Sequence, residues 1–151
     1  MRQLIIDSSH HPSFRKFRAL YEGSFPIFEQ RTAEQQEAAF QDERYRLLAF
    51  EEGQTFIGFI SCWQFAPYCY VEHFAINAWL RGKGYGSRLL QAFVESAPTA
   101  VVLEIDPVVD EVTAARLRFY KACHFEENAY EHHHPPYRLG FQPHLLEVLS
   151  S

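Results

Sequence analysis

Leu80-Arg81-Gly82-Lys83-Gly84-Tyr85-Gly86-Ser87-Arg88-Leu89-Leu90 is the stretch whose reading decides the fold. Upstream of it, Tyr70-Val71-Glu72-His73-Phe74-Ala75-Ile76 is an apolar run with strand character. Downstream, Leu89, Leu90, Phe93, Val94 and Ala97 make one stripe of an amphipathic helix. A glycine-rich loop therefore joins a strand to a helix N-terminus. There the backbone N–H groups lack intrahelical partners and carry partial positive charge. Glycine lets such a backbone approach a ligand because no Cβ intervenes. The physical reading is an anion site suited to phosphate. Two familiar phosphate loops are excluded by spacing. The third glycine of the dinucleotide fingerprint is missing, and no Gly-Lys-Ser/Thr completes a P-loop.

Working outward toward the N-terminus, Tyr45 to Phe50 and Thr55 to Trp63 are β-rich runs around the turn Glu51-Glu52-Gly53-Gln54, an antiparallel hairpin. Ala66-Pro67 breaks the second run before the loop-feeding strand, Tyr68 to Ile76. Earlier still, Thr32 and Gln35 have capping-box spacing and open a helix that carries Ala38, Ala39 and Phe40 to about Asp42. A first helix enters at Ser8-Ser9-His10-His11-Pro12, with Pro12 in its first turn. It carries Phe14, Phe17 and Tyr21 on one face and closes at Gly23 and Pro26. Gln3 to Asp7 is a short first strand. Phe25-Pro26-Ile27-Phe28-Glu29-Gln30-Arg31 connects the two helices, with a solvated turn over tucked aromatics as one reading of it.

Toward the C-terminus, Pro98 ends the helix after the loop, and Val101 to Ile105 is a further strand. Glu111 to Cys123 follows as a helix with Val112, Ala115, Phe119 and Ala122 on one stripe. Two tail strands, about Glu126 to Glu131 and His144 to Leu149, are punctuated by Pro135-Pro136 and Gln142-Pro143. The order is β-α-α-β-β-β-loop-α-β-α-β-β. It predicts an α/β fold of the α+β kind, a mixed sheet with helices on both faces, in a single domain over 1–151.

Two motifs carry a family resemblance. Arg81, Gly84 and Gly86 resemble the Arg/Gln-x-x-Gly-x-Gly/Ala motif of the GNAT superfamily of acetyl-CoA-dependent N-acetyltransferases. Arg118-Phe119-Tyr120-Lys121-Ala122-Cys123-His124-Phe125 resembles that family's helix ending in Tyr, three residues, then Gly-Phe. The resemblance implies a GNAT-like fold across essentially the full chain: a central twisted, mostly antiparallel sheet with a splayed parallel pair that admits acyl-CoA. It implies acetyl-CoA as cosubstrate, no metal, and transfer to a primary amine, small molecule or protein amino group, by direct attack in a ternary complex. The pyrophosphate falls to the N–H groups of Gly82, Lys83, Gly84, Tyr85, Gly86 and Ser87, with Arg81 adding charge. Backbone around Phe74 and Ile76 pairs with the pantetheine arm. Thr113 stands where many members bind cofactor through Asn. His124 replaces the usual Gly at a position that often needs positive φ. The Asp106–Asp110 connection is longer than the family minimum. A non-catalytic acyl-CoA-binding module on the same fold is the alternative.

For the chemistry, the family's Tyr makes Tyr120 the general acid for the departing thiolate, since a phenol near 10 stays protonated at neutral pH. Glu72 is the favoured general base, because a carboxylate in a partly apolar cleft rises toward neutrality. Strict alternation puts Glu72 with Tyr70 and Phe74, and His73 on the opposite face. His73, Glu104 and a water chain remain open as alternatives. In His132-His133-His134 only the outer two converge in extended chain, and no Cys or second His pair supports a metal. A wall of the acceptor pocket, with Tyr137 and Arg138, or an exposed tail strand are the other readings.

Composition narrows the function classes. The chain of 151 residues is 47% hydrophobic and 16% aromatic, which suits a globular core. A net charge of −5 with no basic run disfavours nucleic acid and anionic membranes as partners. No apolar run reaches the roughly 20 residues of a membrane span, and the N-terminal run is short for a signal peptide. Cys62, Cys69 and Cys123 form no CxxC pair, which fits free, buried thiols and a cytoplasmic setting. A homodimer is compatible with the resemblance.

Overall fold

A computed structural model of the chain describes residues 1–134 and 144–151, with side chains described up to 128 and from 146. The predicted order of elements is the observed one. It runs β1 (Arg2–Ile5), α1 (Phe14–Ser24), α2 (Ala33–Phe40), β2 (Tyr45–Glu52), β3 (Thr55–Gln64), β4 (Tyr68–Ile76), α3 (Tyr85–Ser96), β5 (Ala100–Ile105), α4 (Glu111–Ala122), β6 (Glu126–His134) and β7 (His144–Ser150). The strands form one seven-stranded sheet in the order β1-β2-β3-β4-β5-β7-β6. Every pairing is antiparallel except β4 with β5.

Two cores form because the two faces of the sheet are both apolar. On one face Phe17 and Tyr21, four apart on α1, pack against Phe59 of β3 and Ala49 of β2. Phe17 meets Phe59 edge-on at 4.7 Å between ring centroids. On the other face Leu89, Leu90 and Phe93 of α3 pack on Ile60, Val71, Val101 and Leu103. The α4 helix lies on this second side, with Phe119 and Tyr120 half-buried against the cluster. Among the described residues no helix is long and apolar enough to cross a membrane.

Local signals set the helix ends. Thr32 and Gln35 make the predicted capping box at the start of α2. The start of α1 is later than expected: Ser13 is its N-cap and Phe14 its first residue, so Pro12 lies before the first turn. His11 Nδ1 accepts the Ser13 N–H at 3.1 Å and shapes that entry. At the end of α4, His124 takes φ 69°. Its N–H donates to the Lys121 carbonyl and the Phe125 N–H to that of Tyr120, both at 3.0 Å. These two bonds are a Schellman closure, with a histidine in the place that glycine fills most cheaply.

Candidate active site

The parallel pair of strands separates. β4 pairs with β5 from Tyr68↔Ala100 to Val71↔Leu103, and the pairing ends there. Beyond Leu103, β5 keeps β7 as its neighbour through Ile105↔Glu147. The next residue of β4 is Glu72, and it is a β-bulge: Ser61 of β3 faces His73 while Cys62 faces Val71. One extra residue on β4 bends the strand at the point where it leaves β5. A cleft of about 1070 Å³ opens in the gap.

The loop of the opening motif forms one wall. Gly82 and Gly84 have φ of 78° and 81°, a region closed to most side chains. Gly84 is the N-cap of α3, and no side chain caps that helix. The first intrahelical bond in this turn is Arg88 N–H to the Gly84 carbonyl. The N–H groups of Tyr85, Gly86 and Ser87 are therefore left for a ligand. Gly86 lies against the ring of Phe119, where a Cβ would make an ordinary contact at 3.4 Å. Arg81, Gly82, Gly84, Gly86 and Ser87 line the cleft. The side chains of Lys83 and Tyr85 do not; Tyr85 lies under the Arg88 guanidinium at 5.2 Å, and Arg88 pairs with Glu52. These features fit a pyrophosphate held by backbone, with Arg81 as the cation within reach.

Phe74, Ile76 and Tyr120 line the middle of the cleft. The ring of Phe74 stacks over Phe119 at 6.3 Å. Burial pushes the Tyr120 phenol up to about 12, against a smaller opposing pull from Arg116. Thr113 stands in the first turn of α4. Its Oγ1 is 2.8 Å from Asp110 Oδ1, and the pair makes the capping box of that helix.

Glu72 and His73 depart from strict alternation, because the bulge lets neighbours on β4 reach the same side. The Glu72 carboxylate is ion-paired with Arg31 and accepts from Trp63 Nε1 at 2.8 Å. Its side chain is 10% exposed and that of Arg31 only 3%. His73 sits between the rings of Tyr21 and Phe25. Its Nε2 donates to the Glu29 carbonyl at 2.9 Å, and its Nδ1 lies 3.3 Å from Ser61 Oγ. Phe74, expected beside Glu72, shares instead the α3 side with Val71. Glu104 accepts from the Tyr70 hydroxyl at 2.8 Å, and both line the cleft.

Sequence reading singled out neither of two charged residues on this side. Arg31 is a buried cation: its NH1 donates to Gln36 Oε1 at 3.1 Å, and its N–H donates to the Tyr21 hydroxyl at 2.7 Å. Glu29 lines the cleft from the 3-10 turn Ile27–Glu29. Burial raises its carboxyl, and Asp106 across the cleft adds to that. Neither stands in a periodic element, so only the crowding of aromatics around them marked the segment. Among the described residues no group of three His, Cys, Asp or Glu side chains could hold a metal. Tyr137, Arg138 and the side chains of the histidine run lie outside the described residues.

The sequence model of the acetyltransferase (GNAT) family matches residues 14–125. The chain belongs to this family. A solved protein from Bacteroides thetaiotaomicron, assigned to the GNAT acetyltransferases, superposes with a TM-score of 0.93 at 29% identity, over 99% of this chain and 86% of its own. A Bacillus subtilis acetyltransferase in complex with CoA matches at TM-score 0.65 and 15% identity, over 99% of this chain and 96% of its own. A spermidine N-acetyltransferase from Vibrio cholerae matches at 0.70 and 15%, over 99% and 94%. These last two share the GNAT fold with this chain. A search of curated protein sequences finds no match.

Proposed function

We propose that this GNAT protein transfers the acetyl group of acetyl-CoA to a primary amine by direct attack within a ternary complex. The observation that carries the reading is the cleft between the split strands. It unites an uncapped helix N-terminus, suited to a pyrophosphate, with Tyr120 on the cleft wall. The open edge of β4 after Val71 supports pairing with the pantetheine amides. Tyr120, with its phenol raised to about 12, is a neutral donor for the thiolate as it leaves. A covalent acyl-enzyme is disfavoured. Cys123 is buried, and burial pushes its thiol up, away from the nucleophilic thiolate.

A thermal shift with acetyl-CoA, CoA, NAD and ATP side by side tests the cofactor. Ligand at a hundred times its Kd adds about 2.7 kcal/mol to stability. The expected result is a shift with the two CoA ligands alone; none at millimolar ligand would refute the reading. Tyr120→Phe is then expected to keep the CoA shift and to lower kcat at least tenfold. Unchanged turnover would remove Tyr120 from the mechanism. Binding with no turnover of any amine would instead make the protein an acyl-CoA-binding module.

A further inference from the structure

On the part of the cleft wall that Phe25, Pro26 and Phe28 line, one carboxyl group stands on a closely held piece of backbone. Glu29 closes the turn Ile27–Glu29, and its N–H donates to the Pro26 carbonyl at 2.9 Å. Its own carbonyl is held by His73 Nε2 of β4. The next residue, Gln30, is buried and uses Nε2 to bind the Glu22 and Phe25 carbonyls at 3.2 and 2.7 Å. The residue after that, Arg31, is tied to the bulge of β4 through Glu72. Three consecutive residues are thus anchored to α1 and β4 by separate polar bonds. Glu29 itself lines the cleft. Holding a functional group on rigid backbone through a supporting shell is what a reactive site requires. Glu72, the carboxylate that the sequence favoured, is part of that shell.

We propose that Glu29 is the carboxylate that receives the acceptor's ammonium group and takes its proton, resting on the acetyl-transfer reading above. An N–H bond of the ammonium breaks and its proton goes to the Glu29 carboxylate. The freed lone pair forms the bond to the acetyl carbon of acetyl-CoA, and the C–S bond breaks with its electron pair on sulfur. Tyr120 protonates the sulfur, and the second N–H proton of the new amide restores Tyr120. Glu29 releases its proton to water. The charges that act on Glu29 are Asp106 after β5 and Arg116 on α4, and Glu104 of β5 and Glu72 and His73 of β4 line the same cleft. Burial raises the Glu29 carboxyl and Asp106 adds to that, against a smaller opposing pull from Arg116.

The test compares wild type, Glu29→Gln and Glu29→Asp, with CoA release as the signal. The acceptors are benzylamine, 1,4-diaminobutane and a tetrapeptide with a free N-terminal alanine. Wild-type kcat/KM is expected to rise with pH through an acid limb above the ordinary carboxyl range. Glu29→Gln should lose about a hundredfold or more in kcat/KM and lose that limb, while Glu29→Asp recovers part of both. The CoA-induced thermal shift should be the same in all three. A Glu29→Gln enzyme within twofold of wild type, or with the acid limb intact, overturns the assignment. So does equal loss of the CoA shift, which marks a merely structural role. Failure of wild type on every amine, with CoA bound, overturns the acetyl-transfer reading first.

Discussion

Removing the negative partner of Arg31 is the most demanding perturbation available. The guanidinium side chain is 3% exposed and the Glu72 side chain 10%, so neither charge is screened by water. In Glu72→Leu the cation stays buried beside Gln36 Oε1 and the Tyr45 ring, and the Trp63 indole N–H loses its acceptor. Breaking such a pair costs about 3–5 kcal/mol. A chain of this length loses about 2–4 °C in Tm per kcal/mol, so the midpoint should fall by roughly 6–20 °C. Arg31→Met alone takes the Arg31 cation from the nearly buried Glu72 and should fall by a similar amount. The double variant Arg31→Met/Glu72→Leu removes both charges and should recover most of the loss. The remaining deficit is the indole N–H, about 1–3 kcal/mol. Urea unfolding of all four proteins at pH 7, with equal m-values, gives the coupling energy directly. A coupling of about 2 kcal/mol or more is expected. Single losses below about 1 kcal/mol, or strictly additive ones, would refute the claim that this pair holds the Phe25–Arg31 segment on the sheet.

His124→Gly should stabilise the fold by about 0.5–1 kcal/mol, because relief of the left-handed strain exceeds the added chain entropy; thermal unfolding should show a rise of about 1–4 °C. Thr113→Val should cost about 1 kcal/mol through the α4 cap and leave CoA affinity unchanged by calorimetry; a tenfold weaker Kd would place Thr113 at the cofactor after all. The pH dependence of kcat should show no loss from Tyr120 up to about pH 10. The raised value keeps the proton donor in place, whereas a tyrosine at the ordinary value near 10 would be half lost there.

The fold was legible because its elements are periodic and well punctuated. The capping pair Thr32 and Gln35, the stripe on α3 and the hairpin turn before Thr55 each act over a few residues. The shape of the glycine loop was legible for the same reason, since it is set by local backbone geometry. Side-chain roles in the cleft were not. The bulge at Glu72 breaks the period of two on which the assignment of faces depends. It lies where β4 parts from β5, a tertiary coincidence with no local marker. The burial of Arg31 is likewise decided by α1, α2 and β4 closing around it. The bond of Thr113 to Asp110, which caps α4, is a local contact that its place in the family motif did not announce.

The bulge also bears on how such a protein can change by insertion and deletion. Val71 and His73 already face opposite sides of the sheet, so Glu72 is a surplus residue between two that would alternate correctly without it. Deleting Glu72 together with Arg31→Met would carry no core side chain across the sheet. It would straighten β4 and let its ladder with β5 run on past Leu103, through the space a substrate needs. The opening is therefore encoded as a length of chain rather than as a residue type. Point changes can retune what enters the cleft, but one missing codon can seal it in an otherwise intact fold.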